Sequence, residues 1–589
     1  MASSPRIIVV GGGLAGLSAV IKIAEMGGEV DLLSIVPVKR SHSVCAQGGI
    51  NAAKNLKGEG DSTWKHFDDS VYGGDFLANQ PPVKAMCEAA PGIIDLLDRM
   101  GVPFNRTAEG LLDFRRFGGT LYNRTAFAGA TTGQQLLYAL DEQVRRFEAE
   151  GKVKKYEHWE FLSAVLDSNR VCRGICAMDL RSMEVRTFPA DAIIICTGGI
   201  GAIFGKSTNS VVCTGSAQSA LYQQGCYYAN GEFIQVHPTA IPGEDKLRLM
   251  SESARGEGGR VWVPRTAGDK RDPKSIPEKE RWYFLEEWYP KYGNLVPRDI
   301  ATRAIFKVIY EHNLGIDGKP MVYLDLTHID RKILDRKLEG ILEIYEKFVG
   351  DDPRDTPMKI FPGMHYTMGG LWVDYNQATN IPGIFAAGEC EYQYHGANRL
   401  GANSLVSCIF GGFVAGPAAF KCAQNLSAAP SNGHFEAERK RQEAENAKVM
   451  SSSGTENPFK LWLELGELMT KNNTVIRYNK TLEETDGQLC KMLDRYKNIN
   501  LSDRSQWANT SVAFTRQLYN MLILSRVITR GAILRDESRG AHYKPDFPER
   551  DDTNWLKTTK ALFAGETQDP QFEFEPVDVS LIAPRARKY

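Results

Sequence analysis

A glycine pattern near the N-terminus constrains the fold of this chain more than any other feature. Residues 7–10 read Ile-Ile-Val-Val and predict a short buried strand, which Gly11-x-Gly13-x-x-Gly16 follows directly. A helix is predicted over residues 14–26 and a second strand over 30–35. In this context Gly11 allows a tight turn, Gly13 lets the backbone approach a pyrophosphate and Gly16 allows close helix–strand packing. We therefore predict an α/β fold with a Rossmann-like, dinucleotide-binding domain.

One position departs from this pattern. An acidic residue at the end of the second strand, about twenty residues on, normally accepts hydrogen bonds from the ribose. Ser34 stands there instead, and Asp31 lies at the beginning of the strand. Since a serine can also hydrogen-bond an adenosine ribose, Ser34 remains a predicted cofactor contact. The pattern does not by itself specify NAD.

Composition and residue spacing exclude several other classes of protein. The 589 residues include 71 Lys and Arg against 72 Asp and Glu, so no basic excess indicates a nucleic-acid surface. The 11 cysteines lack the spacing of zinc, redox or iron–sulfur sites, and no histidine spacing matches a metal motif. The apolar N-terminal stretch is interrupted by glycines and is shorter than a membrane span. We expect a chain that is not exported, does not span a membrane and holds no metal.

A histidine-containing segment gives the strongest indication of the cofactor. Residues 39–51 read Lys-Arg-Ser-His-Ser-Val-Cys-Ala-Gln-Gly-Gly-Ile-Asn, with His42 in the Arg-Ser-His motif. Here the chain resembles the flavoprotein subunit of succinate dehydrogenase and quinol:fumarate reductase, and the resemblance runs from Ile7 nearly to the C-terminus. It implies FAD attached covalently through a ring nitrogen of His42. The neighbouring cofactor contacts that it implies are Ser43, Gln47, Gly48 and Gly49.

Two later strands are also predicted to end at the cofactor. One covers residues 192–196 and the other residues 384–387, and an apolar helix opens near residue 403. The resemblance implies that Glu389 meets hydroxyls of the FAD ribityl chain or ribose, and that the helix N-terminus stabilises negative charge on the reduced flavin. The family's Thr-Gly-Asp-Gly reads Thr-Gly-Ser-Ala at residues 214–217, which weakens any acidic contact there. The predicted contacts from these segments are Thr197, Gly198, Gly199, Glu389, Asn403, Ser404 and Leu405.

Histidines and arginines in turn-rich segments are the candidate substrate ligands. A dicarboxylate requires two separated sets of donors, and arginine supplies planar forks that match a carboxylate. The resemblance assigns the substrate carboxylates to His237, Ser251, His365 and Arg399. It also matches Phe104 to an aromatic side chain that packs on the substrate. Ser251 stands where many relatives have threonine, and either hydroxyl can donate.

The resemblance assigns proton transfer at the substrate carbon to Arg298, while flavin N5 exchanges the hydride. A guanidinium is almost never deprotonated in proteins, so it needs a neighbour that passes the proton on. Glu252 and Arg255, three residues apart, match the family's Arg–Glu–Arg relay. The alternative is a structural ion pair between Arg298 and Asp299.

Four domains are predicted from the pattern of segments. Residues 1–237 and 352–427 form a discontinuous FAD-binding domain, and the charge-rich insertion at 238–351 resembles a capping domain. Apolar residues at three- and four-residue spacing predict a helical domain over 428–535. A small C-terminal domain follows at 536–589.

The predicted partners follow from the path of the electrons. Because the chain carries no iron–sulfur ligand pattern, the resemblance implies an iron–sulfur subunit as acceptor. It further implies a membrane anchor with a quinone site, and a peripheral place on the cytoplasmic face of the membrane in a respiratory complex. Gln47, where fumarate reductases often have Glu, favours succinate oxidation in the tricarboxylic acid cycle, with quinol:fumarate reduction as the alternative. An L-aspartate oxidase lacks the Arg-Ser-His motif. The balanced charge argues against a nucleic-acid-modifying flavoprotein, and a redox scaffold does not need Arg298, Glu252 and Arg255 together.

Overall fold

The computed structural model describes residues 5–205, 207–243, 247–425 and 432–588. Its central layer is a sheet of five parallel strands. In spatial order the strands are Ile384–Ala386, Ala192–Ile195, Arg6–Val10, Glu29–Ser34 and Val153–Glu157. The middle strands are apolar on both faces because both faces are covered. Because the strands are parallel, their carboxyl ends lie at the same edge of the sheet, where Gly11, Thr197 and Gly388 follow.

The predicted glycine-rich unit is present with small shifts in its bounds. The helix predicted over residues 14–26 is Leu14–Glu25, and the strand predicted over 30–35 is Glu29–Ser34. The helix packs against Asn403–Asn425, where Cβ atoms on Gly412 and Gly416 would lie 2.3 and 2.8 Å from backbone oxygens of the first helix. Glycine at both positions is what allows the two helices to approach so closely.

Among the described residues, helix Asn403–Asn425 is the segment that bears on the expectation that the chain does not span a membrane. Its length and a mean hydropathy of 1.6 would allow it to cross a membrane by composition alone. However, 56% of the apolar 18-residue stretch of this helix is buried inside the protein. Its hydrophobicity is that of a core helix, because it lies between the parallel sheet and the helices around it.

The insertion builds an antiparallel sheet of six strands. In spatial order these are Arg248–Leu249, Ile234–Ile241, Met358–Thr367, Val322–Asp325, Arg260–Pro264 and Arg281–Trp282. Strand Ile234–Ile241 crosses the predicted boundary after residue 237, and its partner Met358–Thr367 lies beyond the predicted boundary after residue 351. The six-stranded sheet thus joins the insertion to the region that carries the central sheet. The predicted division into domains stays a prediction.

Four helices form most of the region predicted to be helical: Asn432–Ser451, Pro458–Asn473, Asn479–Tyr496 and Thr510–Leu534. The predicted boundary between residues 427 and 428 lies outside the described residues. The C-terminal hairpin Lys557–Leu562 and Gln571–Pro576 pairs with Tyr228–Ala229, which in turn pairs with Gly370–Leu371. The last region therefore completes a sheet that begins far earlier in the chain.

The remaining elements surround these layers. Short strands Ile50–Asn51, Thr125–Ala126 and Phe114–Arg115 form one small sheet, and Trp159–Leu166, Cys172–Asp179 and Val185–Pro189 form another. The other α-helices are Thr63–Gly73, Gln80–Arg99, Thr132–Ala149, Ser216–Gln223, Ser253–Gly256, Phe284–Trp288, Arg298–Phe306, Arg331–Val349 and Asp552–Trp555.

Candidate active site

A cavity of about 600 Å³ runs from the carboxyl edge of the parallel sheet to the six-stranded sheet. Most of the residues that the sequence predicts for cofactor and substrate line it. These are Gly11, Gly13, Ser34, His42, Ser43, Gln47, Gly48, Gly49, Thr197, Gly198, His237, Ser251, Glu252, Arg298, His365, Glu389, Arg399, Ser404 and Leu405. Segments more than 350 residues apart in the sequence thus share one site.

The glycine-rich turn has the geometry of a phosphate cradle. Gly11 has φ +114°, and a Cβ there would lie 2.2 Å from the Cys196 carbonyl oxygen. A Cβ on Gly16 would lie 1.9 Å from the Gly11 carbonyl oxygen, so Gly16 serves the packing of helix and strand and does not line the cavity. The Ser43 hydroxyl accepts from the Leu14 amide at the helix N-terminus. A helix N-terminus next to bare backbone fits a pyrophosphate.

Of three other predicted cofactor residues, Glu389 lines the cavity, whereas Gly199 and Asn403 lie behind its lining. Glu389 lines the cavity, and burial raises its pKa to about 7, although the Thr367 amide donates to it at 3.1 Å. Gly199 lies behind it, since a Cβ there would be 2.3 Å from the Glu389 carboxylate. Asn403 lies outside the cavity lining: its Oδ1 accepts from Asn51 at 2.8 Å, which fixes the start of the helix. Gly199 and Asn403 therefore support the site without lining it.

His42 lies in a 3₁₀ turn, His42–Cys45, and lines the cavity. The backbone amide of Ser210 donates to its Nδ1 at 3.1 Å, and the Asn209 side chain lies 2.9 Å from its Nε2. Because the Ser210 amide donates to Nδ1, Nε2 is the ring nitrogen at which a substituent would attach, and the substituent would take the place of the Asn209 amide nitrogen that now faces Nε2. The ring is therefore fixed in orientation by two neighbours from one loop.

The structure brings together the three residues of the predicted Arg–Glu–Arg relay. Arg298 donates to Glu252 Oε2 from Nε at 3.0 Å and from a terminal nitrogen at 2.9 Å, and Arg255 donates to Oε1 at 2.9 Å. All three residues are buried. Burial alone would raise the pKa of Glu252, but the two guanidinium groups outweigh burial and lower it. Asp299 pairs instead with Arg303 and Arg587, so the alternative Arg298–Asp299 pair is not formed.

The end of the cavity that is predicted to bind substrate contains buried donors. The rings of His237 and His365 lie 5.0 Å apart, and the guanidinium of Arg399 lies 4.4 Å from the ring of Tyr366. Burial and the nearby arginines hold the pKa of both histidines well below the usual range. Burial and Arg298 lower the pKa of Arg399 to about 10, which leaves it charged at neutral pH. The described residues contain no group of three or more His, Cys, Asp or Glu placed to hold a metal ion.

His237 has a defined tautomer. The Thr239 amide donates to its Nδ1 at 3.2 Å, while the Thr239 hydroxyl donates to the Met250 carbonyl. A neutral imidazole that accepts at Nδ1 carries its proton on Nε2. Neither Nε2 of His237 nor Nε of Arg399 has a partner among the described residues. Buried donors without partners suit a ligand that brings its own acceptors.

The structure corrects the prediction for Phe104. Its side chain is 4% exposed and belongs to the core beside Val102 and Leu112, and among the described residues it does not line the cavity. Phe117 lines the cavity instead. Phe104 follows a helix whose apolar face is buried, and this packing draws it into the core. The glycine pair directly after Phe117 is the sequence signal that could have identified it.

Sequence reasoning also missed Gln235 and Thr208. Gln235 accepts from Arg298 at 3.1 Å and donates to the Arg399 carbonyl at 2.8 Å, so it connects the two arginines that are predicted to contact substrate. The Thr208 hydroxyl lies 2.7 Å from His365 Nδ1 and orients that ring. Neither residue belongs to a motif, and only the folded chain brings them to the site.

Comparison with known proteins identifies the family of this chain. The FAD binding domain family matches residues 6–405, and the family described as fumarate reductase flavoprotein C-term matches residues 462–589. The succinate dehydrogenase flavoprotein subunit of Bacillus subtilis (strain 168) is 66% identical over 590 positions, covering 100% of this chain and 99% of the relative. This chain belongs to the flavoprotein-subunit family of succinate dehydrogenase and fumarate reductase.

Other members of this flavoprotein family are more distant in sequence but share the fold. The fumarate reductase flavoprotein subunit of Escherichia coli (strain K12) is 33% identical over 592 positions, covering 99% of this chain and 95% of the relative. A solved structure of an E. coli quinol fumarate reductase variant superposes with a TM-score of 0.90 at 31% identity, covering 99% of this chain and 98% of that one. The α/β FAD-binding fold with its helical and C-terminal regions is thus confirmed.

Proposed function

We propose that this chain oxidises succinate to fumarate with bound FAD. The observation that carries the proposal is the buried Arg298–Glu252–Arg255 chain, which reaches the cavity at the end where His237, His365 and Arg399 gather. Removing two hydrogens from a dicarboxylate requires anion ligands, a hydride acceptor and a route for one proton. The chain supplies the first and the last, and its glycine-rich turn fits the phosphates of the second.

The residues divide the chemistry as follows. His237 donates from Nε2 to one substrate carboxylate, and Arg399 supplies a charged donor for a carboxylate. FAD, held at the glycine-rich turn, would supply the hydride acceptor. Arg298 takes the proton of the neighbouring carbon after its own proton has moved to Glu252, and Arg255 takes that proton on along hydrogen bonds that already exist. The low pKa of Glu252 keeps this carboxylate charged between the two arginines.

Succinate oxidation is favoured over the reverse reaction by similarity. The succinate dehydrogenase relative is 66% identical to this chain, whereas the E. coli fumarate reductase relative is 33% identical. Gln47, where fumarate reductases often have Glu, lines the cavity. Quinol:fumarate reduction remains the second candidate, because the same relay and the same anion ligands serve both directions.

We also propose that FAD is attached covalently to His42. The support is the fixed ring, whose Nδ1 accepts from Ser210 and whose Nε2 faces the Asn209 side chain beside the cavity. After acid or detergent denaturation, yellow fluorescence should stay with the polypeptide. The variant His42→Ser should keep FAD non-covalently, lose most succinate oxidation and retain some fumarate reduction. Free release of flavin from the fully assembled wild-type protein would contradict the proposal.

The partners follow from the electron path. We propose an iron–sulfur subunit as the electron acceptor, followed by a membrane anchor with a quinone site. The chain would lie peripherally on the cytoplasmic face of the membrane. The support is the family, whose members include subunits of succinate dehydrogenase and fumarate reductase, and a related solved structure of quinol-fumarate reductase with menaquinol molecules.

The variant Arg298→Gln tests the proposed function. We expect turnover to fall by about 10²–10⁴, the usual range for a lost acid–base group, with flavin content and dicarboxylate binding retained. The matched control is Arg303→Gln, which lies on the same helix but outside the cavity lining and should keep turnover. Unchanged succinate oxidation in Arg298→Gln, measured in the assembled complex, would reassign Arg298 to a structural role.

A further inference from the structure

The segment from Arg115 to Gly119 lies between the loop at Gln47 and Gly48 and the carboxylate of Glu252. The Arg115 guanidinium donates to the carbonyl oxygens of Gln47 and Gly48, and it lies 4.2 Å from the ring of Phe127. The segment is thereby fixed to the loop that lines the flavin end of the cavity.

Phe117 is held between two glycines. A Cβ on Gly48 would lie 2.6 Å from the Phe117 ring, and one on Gly401 would lie 2.7 Å from it. The ring is 6% exposed. Because it fills the space on both sides, the next residue along the chain has little freedom to move.

That next residue, Gly118, lies against the relay. A Cβ on Gly118 would be 2.0 Å from Glu252 Oε1 and 2.6 Å from the carboxyl carbon. On the other side, a Cβ on Gly401 would be 3.2 Å from Oε2. The carboxylate of Glu252 therefore occupies volume that any side chain at position 118 would take.

A flexible side chain normally yields at low cost, but Glu252 cannot. Its Oε2 is held by Arg298 through two hydrogen bonds and its Oε1 by Arg255. Oε1 is also the atom nearest to Gly118. A methyl group at position 118 would thus displace the atom that joins Glu252 to Arg255, the outer step of the relay.

We propose that Gly118 is a positioning residue for proton transfer, because its missing side chain leaves the space in which Glu252 bridges Arg298 and Arg255. The inference rests on the proposed function of that relay. It predicts that Gly118→Ala damages proton transfer while the substrate ligands and the flavin site stay in place.

The test uses the complex as assembled in cells, with succinate-dependent dye reduction, flavin content and KM measured for each variant. Gly118→Ala should lower kcat by about 100-fold, the cost of misplacing a reacting group by about 1 Å, without changing KM or flavin content. Combined with Arg255→Gln, it should add little to the loss caused by Arg255→Gln alone, because both act on one contact. The matched control is Gly256→Ala on the relay helix, where a Cβ meets nothing within 4 Å.

The outcomes separate this inference from the proposed function. If Arg298→Gln is inactive but Gly118→Ala matches Gly256→Ala, the positioning role of Gly118 is wrong and the relay stands. A raised KM with unchanged kcat would also overturn it, because the segment would then position substrate. Turnover at the wild-type rate in Arg298→Gln would overturn the relay and this inference together.

A second variant covers the case in which Gly118→Ala fails to assemble. Adding Glu252→Asp shortens the carboxylate by one methylene and vacates the space next to position 118. Flavin content and assembly should then return, although turnover stays low. Failure of the double variant to assemble, with Glu252→Asp alone assembling normally, would show that the methyl group clashes elsewhere and would overturn the inference.

Discussion

The variant Glu252→Gln removes one negative charge from the relay, and the glutamine side chain has nearly the same shape as glutamate. The amide oxygen can still accept from one arginine, but the amide nitrogen then faces the other arginine, donor against donor. Glu252, Arg255 and Arg298 are 4%, 2% and 6% exposed, so solvent does little to screen the two guanidinium groups. Removing one partner from a buried pair costs about 3–5 kcal/mol. The protein should therefore become less stable and lose proton transfer at once.

The loss of stability has a measurable size. Unfolding 589 residues carries an entropy of about 1.2 kcal/mol per kelvin, so 3–5 kcal/mol lowers the melting temperature by about 2–4 °C. Turnover should fall by about 10²–10⁴ at 25 °C, far below melting, where lost stability leaves the protein folded. Differential scanning fluorimetry and succinate-dependent dye reduction on the same complex give both numbers.

The pH dependence of stability independently tests whether the charged form of Glu252 stabilises the folded protein. The folded protein holds the pKa of Glu252 below its ordinary value of 4.5, so its contribution to stability is complete above 4.5 and is lost as the pH falls through the folded pKa. The gap in melting temperature between wild type and Glu252→Gln should be full at pH 7 and should narrow below about pH 4.5. The control Glu257→Gln removes a partly exposed carboxylate paired with Lys337 and should change little. Wild-type turnover in Glu252→Gln would refute the reasoning.

Two further predictions use side chains whose burial decides the result. Phe117→Ala should raise KM for succinate about 10-fold, a loss of about 1.4 kcal/mol of binding, whereas Phe104→Ala should lower the free energy of unfolding by about 3–5 kcal/mol with KM unchanged; the reverse pattern would restore Phe104 to the site. Burial raises the pKa of Glu391 to about 8, so its contribution to stability is complete below its ordinary pKa of 4.5 and is lost progressively as the pH rises from 4.5 to 8. Glu391→Gln should therefore have the same free energy of unfolding as wild type below about pH 4.5 and a higher one at pH 9, by up to about 5 kcal/mol; equal stability of the two proteins at both pH values would contradict this.

The glycine-rich turn and the His42 segment could be predicted from sequence because the determinants of each are local. Gly11, Gly13 and Gly16 act on one turn between one strand and one helix, and that spacing has few other uses. The same holds for His42, whose motif is continuous in the chain. In both segments the residues that act together are neighbours in the chain, so the sequence alone is enough to predict the local structure.

The predicted substrate residues came from the resemblance. That prediction was wrong for Phe104, which is a core residue and does not line the cavity. Phe104 and Phe117 are both aromatic residues in loops after the same helix, and only packing separates them. Gln235 and Thr208 had no motif to mark them. Their contacts to Arg298 and His365 join residues 63 and 157 positions apart.

By itself, the sequence determined the strand–turn–helix unit, the residue types of the relay and the absence of an iron–sulfur ligand pattern in the chain. The tertiary structure alone decided that Glu252 reaches both arginines, that Asp299 pairs elsewhere, and that Gly118 leaves the space the carboxylate needs. The physical reason is the range of the interactions. Backbone turns and helix starts depend on residues a few positions apart, whereas a buried charge is satisfied only by groups that the whole fold brings within 3 Å.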